Sequence, residues 1–181
     1  IVDEGVKVEL RNSLLKIYGG FKAIGSEINP IQIFGTEDGS GTIFFNTIKP
    51  VKISHVKFNY LTNNFTKFSQ PASLVFYECD NVSINNSTFE NNLNGDDYVN
   101  FFRSKNIIVT NSIFKNVKND AIDSDFSDLI VENTIFENIG NDGVDGSGSS
   151  VKIKSSKFNN ILDKAISAGE KSNFYLNKNL F

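Results

Sequence analysis

The residues best placed to do chemistry sit in four short segments: DYVNF (97–101), DAIDSD (120–125), DGVDGS (142–147) and DKAIS (163–167). Aligned on Val99, Ile122, Val144 and Ile166, the position two before holds Asp97, Asp120, Asp142 and Lys164. One after holds Asn100, Asp123, Asp145 and Ser167; three after holds Phe102, Asp125, Ser147 and Gly169. Side chains alternate along a strand, so an inward Ile122 sends Asp123 and Asp125 outward together. If the segments stack, Asp123 and Asp145 become neighbours about 5 Å apart. Unpaired carboxylates that close repel, and three kinds of chemistry offset the cost. A hard cation such as Ca²⁺ takes up several oxygens, with Asp123, Asp125 and Asp145 as its ligands. A retained proton makes one carboxyl a general acid. Turn N–H donors satisfy a carboxylate that faces water, which suits Asp120 and Asp142, each after an Asn at a strand start. That last explanation fits Asp123, Asp125 and Asp145 less well.

Other reactive side chains are sparse. The single histidine, His55, falls in a turn column away from the aspartates and reads as structural. Cys79 is alone, which rules out an internal disulfide, and with no histidine in reach it reads as a small buried residue. Lys164 is a counter-ion for Asp142 or a ligand-binding cation, and Arg103 is the other cation nearby. Tyr98 and Phe102 read as exposed aromatics able to stack on sugar rings or pack beneath a loop. Glu170 caps the acidic row. A net charge of −3 gives a nucleic-acid partner no electrostatic support, and no apolar run approaches the ~20 residues of a membrane helix.

A repeat positions these residues. The segments VKISHVKF, VSINNSTF, IIVTNSIF, LIVENTIF, VKIKSSKF and FYLNKNLF end at Phe58, Phe89, Phe114, Phe136, Phe158 and Phe181, at spacings of 31, 25, 22, 22 and 23 residues. Their first and third positions are apolar, the alternation of a half-buried strand. The bias of 17 Phe against 5 Tyr and no Trp marks one core position used repeatedly. Asn, Gly, Asp and Ser clusters separate the strands, and no stretch carries a capped 3.6-residue period, so helices are expected to be absent. A period near 22 with two or three short strands is a β-solenoid, an all-β fold. The terminal Phe residues should form an internal stack. Asn86, Asn111 and Asn133, three before Phe, should form a hydrogen-bonded ladder. Residues 1–50 are less regular opening coils, with strands at VKVEL, LLKIY and around IQIFG; residues 51–181 are regular coils of the same domain. The 31-residue spacing implies a loop bulging near 63–72. The start at Ile1 and the stop at Phe181 within a repeat suggest a processed piece whose coils continue.

The Phe stack, the Asn column and the strand–turn–strand rungs resemble the right-handed parallel β-helix superfamily that includes pectate lyases, polygalacturonases and alginate epimerases. DAIDSDFS, NDGVDGSGS and DKAISAGEKS, with the opening AIGSEINPIQIFG, more closely resemble secreted bacterial β-helix domains found beside spore-coat-protein-H-like kinase modules. The resemblance implies a module of a larger extracellular or cell-surface protein. It also implies that the acidic face lines a polysaccharide groove, with Asp97, Asn100, Arg103, Asp120, Asp142 and Lys164 as carbohydrate contacts and calcium held nearby. Pectate lyases also need a basic catalytic residue, and polygalacturonases an Asn-Thr-Asp, Asp-Asp and His-Gly set; neither motif is present. The expected function is therefore a binding module for a cation or a carbohydrate. The alternatives are a lyase or glycoside hydrolase using the aspartate row, and a structural spacer with no site.

Overall fold

The computed structural model describes residues 1–63 and 71–181. Among the described residues the chain winds through three parallel sheets of seven strands each, with no helix. The first sheet contains Lys7–Glu9, Ile31–Phe34, Val56–Asn59, Thr88–Asn92, Ile113–Val117, Ile135–Ile139 and Lys157–Ile161. The second contains Leu14–Ile17, Thr42–Phe45, Ala72–Tyr77, Asp97–Phe102, Ile122–Asp125, Val144–Ser147 and Ile166–Ala168. The third contains Phe21–Ile24, Val51–Ser54, Asp80–Asn85, Lys105–Thr110, Asp128–Glu132, Ser150–Lys154 and Asn173–Asn177. Each coil therefore has three strands. The repeated Phe-ending segment spans a corner, as in Val51–Ser54 and Val56–Asn59 flanking His55. The loop expected to bulge lies largely outside the described residues.

The corners explain the polar columns. Between the third and first sheets, His55, Asn86, Asn111 and Asn133 adopt φ of 52, 48, 50 and 49°, a left-handed turn that Asn tolerates best among larger residues. This placement puts the three asparagines on the exposed outside, so they do not form the expected internal ladder. The residues that follow them do. Ser112 Oγ accepts the Ser87 N–H at 3.2 Å, and Ser156 Oγ accepts the Thr134 N–H at 3.2 Å. A matching ladder occupies the corner between the second and third sheets, where Ser127 Oγ accepts from Ser104 N–H and Ser149 Oγ from Ser127 N–H, both at 2.9 Å. Each hydroxyl satisfies a buried amide that strand pairing leaves free at the bend. An asparagine ladder does exist, one turn further along: the Asn116 amide donates to Asn91, Asn138 to Asn116 and Asn160 to Asn138, at 3.1, 3.1 and 2.8 Å.

The Phe stack runs through the interior. Phe58, Phe89, Phe114, Phe136, Phe158 and Phe181 follow one another with centroid separations of 4.9, 4.4, 5.2, 4.7 and 5.4 Å. A second stack, Phe45–Phe76–Phe101, fills the space behind the second sheet at 4.5 and 5.0 Å. It ends where the column continues as Ser124, Gly146 and Ala168. Gly146 is needed there because a Cβ would lie 2.8 Å from the Phe174 ring. Tyr98, expected on the surface, is fully buried: it packs edge-on against Phe89 at 5.6 Å and donates its hydroxyl to the Glu90 carbonyl. Cys79 is buried as expected, and burial pushes its thiol up to about 11.

Phe114 sits between two ring neighbours with 1% of its surface exposed. Phe114→Ala is expected to lose about 3–5 kcal/mol, read as a lower denaturant midpoint by circular dichroism. A loss below about 1 kcal/mol would show that the stack carries no such weight.

Candidate functional site: the outward face of the second sheet

The register of the second sheet sorts its outward residues into two columns. One runs Lys16, Phe44, Val75, Asn100, Asp123, Asp145 and Ser167; the other runs Tyr77, Phe102, Asp125 and Ser147. Both columns change character at the same level. Between Lys16 and Asn100 the face is aromatic and aliphatic; beyond Asn100 and Phe102 it is acidic. Asp123 and Asp145 are paired neighbours, as the spacing predicted. Asn100 bridges the boundary, its amide donating to Asp123 Oδ2 at 2.7 Å and to Asp125 Oδ2 at 3.2 Å. Asn100 itself is 1% exposed, and its Oδ1 is buried with no partner.

The strand-start aspartates are a separate group. Asp120 Oδ1 accepts the Asn141 side-chain amide at 2.7 Å and the Asp142 N–H at 2.8 Å. Asp142 Oδ1 in turn accepts the Lys164 N–H at 2.9 Å. These are the turn-capping roles expected of Asp. Lys164 Nζ lies 3.6 Å from Asp142 and bonds Asp163 more closely, so it serves as the counter-ion. Asp97 and Asp142 are 5% and 4% exposed, which puts them beneath the surface instead of on it. Arg103 lies beside the face, 3.9 Å from Glu78 and over the Phe102 ring at 5.1 Å. His55 is at the opposite corner, with Nδ1 2.9 Å from Ser54 Oγ.

Burial among like charges raises these carboxyls. Asp97 is pushed up to about 10, first by desolvation and then by the charges of Asp123 and Asp96. Asp123 is pushed up to about 7, again by desolvation first, then by Asp125, with the Asn100 amide opposing the shift. Asp125 and Asp120 are raised as well, chiefly by desolvation. For Asp123 and Asp125 burial favours the neutral form, and the Asn100 amide opposes it by bonding the charged one. Asp123, Asp125 and Asn100 Oδ1 are hard oxygen donors of the kind calcium takes. Among the described residues, however, no three carboxylate, thiolate or imidazole groups converge as a metal site. The Asn100 amide N–H groups also point at the two carboxylates.

An aromatic stripe runs up to the acidic row. Phe44, Tyr77 and Phe102 stack in turn at 6.1 and 5.3 Å, and Phe126 meets Phe102 edge-on at 6.0 Å. The sequence singled out Phe102 alone; recognising the other three needed the coil register, because the strands carrying Phe44 and Tyr77 have no aspartate to mark them.

The comparisons with known proteins follow this architecture. Residues 33–181 match the family described as right handed beta helix region. The solved structure of a protein of Parabacteroides merdae ATCC 43184, assigned provisionally to the glycosyl hydrolases, superposes with a TM-score of 0.64 at 11% identity, covering 93% of this chain and 82% of that one. The Agl-KA catalytic domain superposes with a TM-score of 0.68 at 15% identity, covering 98% of this chain and 40% of that domain. At these identities the likeness is one of fold. A search of curated proteins returns no match.

The raised carboxyls make stability depend on pH. A carboxyl whose folded pKa lies above its unfolded value of about 4 holds more protons folded than unfolded. Its contribution is fully present below about pH 4 and is lost as pH rises through the folded value, to about 7 for Asp123 and about 10 for Asp97. The melting temperature should therefore fall between pH 5 and pH 9. Asp97→Asn, which mimics the neutral carboxyl, should raise it at pH 8 by roughly 2–4 °C for each kcal/mol regained and flatten the profile. An unchanged slope in Asp97→Asn would place the buried charge elsewhere.

Proposed function

The chain belongs to the right-handed β-helix family, and from that premise we propose that it is a carbohydrate-binding module of a secreted or cell-surface protein. The ligand lies across the outward face of the second sheet. One observation carries the proposal: a stripe of aromatic rings meets a row of carboxyl groups in register on that face. Aromatic rings take the apolar face of a sugar, while carboxyl oxygens fix its hydroxyls through charge-assisted hydrogen bonds. Support comes from the fold shared with a provisionally assigned glycosyl hydrolase and with the catalytic domain of Agl-KA. Asp142 acts from below by holding the next strand start through the Lys164 N–H, and Asp97 lies buried beneath the face. If the bound glycan is also cleaved, Asp123 is the outward-facing carboxyl raised toward neutral pH, and release of reducing ends would show it.

A second reading rests on Asn100 Oδ1, an acceptor with no partner. Turned toward Asp123 and Asp125, it would complete a set of oxygen ligands for calcium. Calorimetric titration separates the two. Under the calcium reading heats saturate and vanish in the Asp123→Ala/Asp145→Ala variant; no heat up to millimolar calcium removes it.

The carbohydrate reading is tested by affinity electrophoresis through gels containing soluble polysaccharides. Retardation of the wild type by at least one glycan is expected. Asp123→Ala/Asp125→Ala should lose roughly tenfold or more in affinity, the loss of at least one charge-assisted bond, whereas Asp97→Asn should bind as the wild type does. A double variant that binds normally would move the site off this face.

A further inference from the structure

We propose that the glycan held on this face is an uncharged hexopyranose chain and that Phe126 is the platform on which one sugar ring stacks. This inference rests on the carbohydrate reading above and gives it a substrate class and a recognition residue.

Phe126 is an unusual residue for its position. It adopts φ 51° at a corner whose column otherwise holds Glu78, Arg103, Gly148 and Lys171. Bulky side chains rarely accept that conformation, and Phe126 gains little burial in return, since 57% of its surface stays exposed. The surroundings nevertheless hold it in place. Its ring meets Phe102 at 87°, and it lies against Gly148, where a Cβ would come within 2.7–2.8 Å of ring carbons. Gly148 also has φ 64°. A ring held at a strained corner and left in solvent beside Asp125 is placed for a ligand.

The polar groups of the face select the ligand's charge. Asp123, Asp125, Asp145 and Glu170 present oxygen acceptors, and Glu170 adds to the field on Asp125. Asn100 Oδ1 adds a buried acceptor with no donor. Among the cations, Arg103 pairs with Glu78 and covers Phe102, and Lys164 pairs with Asp142 and Asp163. Lys171 lies in the corner column, two coils beyond Phe126. The face is rich in acceptors and poor in donors, so it complements a ligand dense in hydroxyl donors. A uronate chain brings more acceptors and like charge, which disfavours it.

The test is calorimetry with the whole chain against two sets of oligosaccharides. One set is neutral, comprising gluco-, galacto- and manno-oligosaccharides of α and β linkage; the other is oligogalacturonate and oligomannuronate. At low ionic strength a neutral member should bind roughly tenfold or more tighter than either uronate, with the gap narrowing as salt is added. Phe126→Ala should lose roughly tenfold for that member while Phe126→Tyr retains it; melting curves confirm folding. Uronates binding as well as neutral chains, or an unaffected Phe126→Ala beside a weakened Asp123→Ala/Asp125→Ala, would overturn this inference and leave the carbohydrate face standing. If no oligosaccharide of either set binds, both fall.

Discussion

Every coil of this molecule must hydrogen-bond in parallel register to the coils before and after it, and the rest of the structure follows from that constraint. A residue at any position therefore has as its neighbour whatever occupies the same position one coil away, about 4.8 Å off. Residue types divide according to whether they tolerate such company. Phenylalanine does, as the stack from Phe58 to Phe181 shows. Asparagine does, because its amide both donates and accepts, as along Asn91, Asn116, Asn138 and Asn160. Serine does at the corners, where its hydroxyl meets a backbone amide of the adjoining coil.

Aspartate does at the strand starts, where Asp120 and Asp142 accept amides of the next coil, but not in the outward column. Asp123 beside Asp145 contributes nothing to the stacking and raises the free energy of the face, a cost met by proton uptake or by the Asn100 amide. A position kept against the general rule of the fold is where a use beyond folding is to be sought. The same reasoning applies to Phe126, whose left-handed corner conformation favours Gly or Asn over a bulky ring. The two exceptions lie next to each other, and their proximity gives the face more weight than either has alone.

The period, the strand alternation and the Phe column were legible in the sequence because each depends on identity at a fixed spacing. Asp123 and Asp145 were correctly placed as stacked neighbours for the same reason. What the sequence hid were features that depend on the bend. A bend lies inside each Phe-ending segment, so the column three before Phe faces out and the residue after it faces in. Asn86, Asn111 and Asn133 thus changed places with Ser87, Ser112 and Thr134. Tyr98 was misplaced because it precedes Val99 in the alternation, yet its ring turns into the core against Phe89. The aromatic stripe was obscured because coils of 31 and 25 residues break the spacing that would align Phe44 and Tyr77 with Phe102.

That variation in coil length is largest at one of the three bends. Between the second and third sheets the count stays small, from three positions, as from Phe102 to Lys105 and from Asp125 to Asp128, to six from Phe45 to Val51. Between the first and second sheets it ranges widely, from Asn59 to Ala72 in one coil and from Val117 to Ile122 in another. Chain can thus be added at that bend without shifting a single rung above or below it. The bend borders the start of the second sheet, next to the acidic row. The fold accordingly has a built-in site for growing or trimming a wall along the outward face of the second sheet, by insertion, while the stacked core stays unchanged.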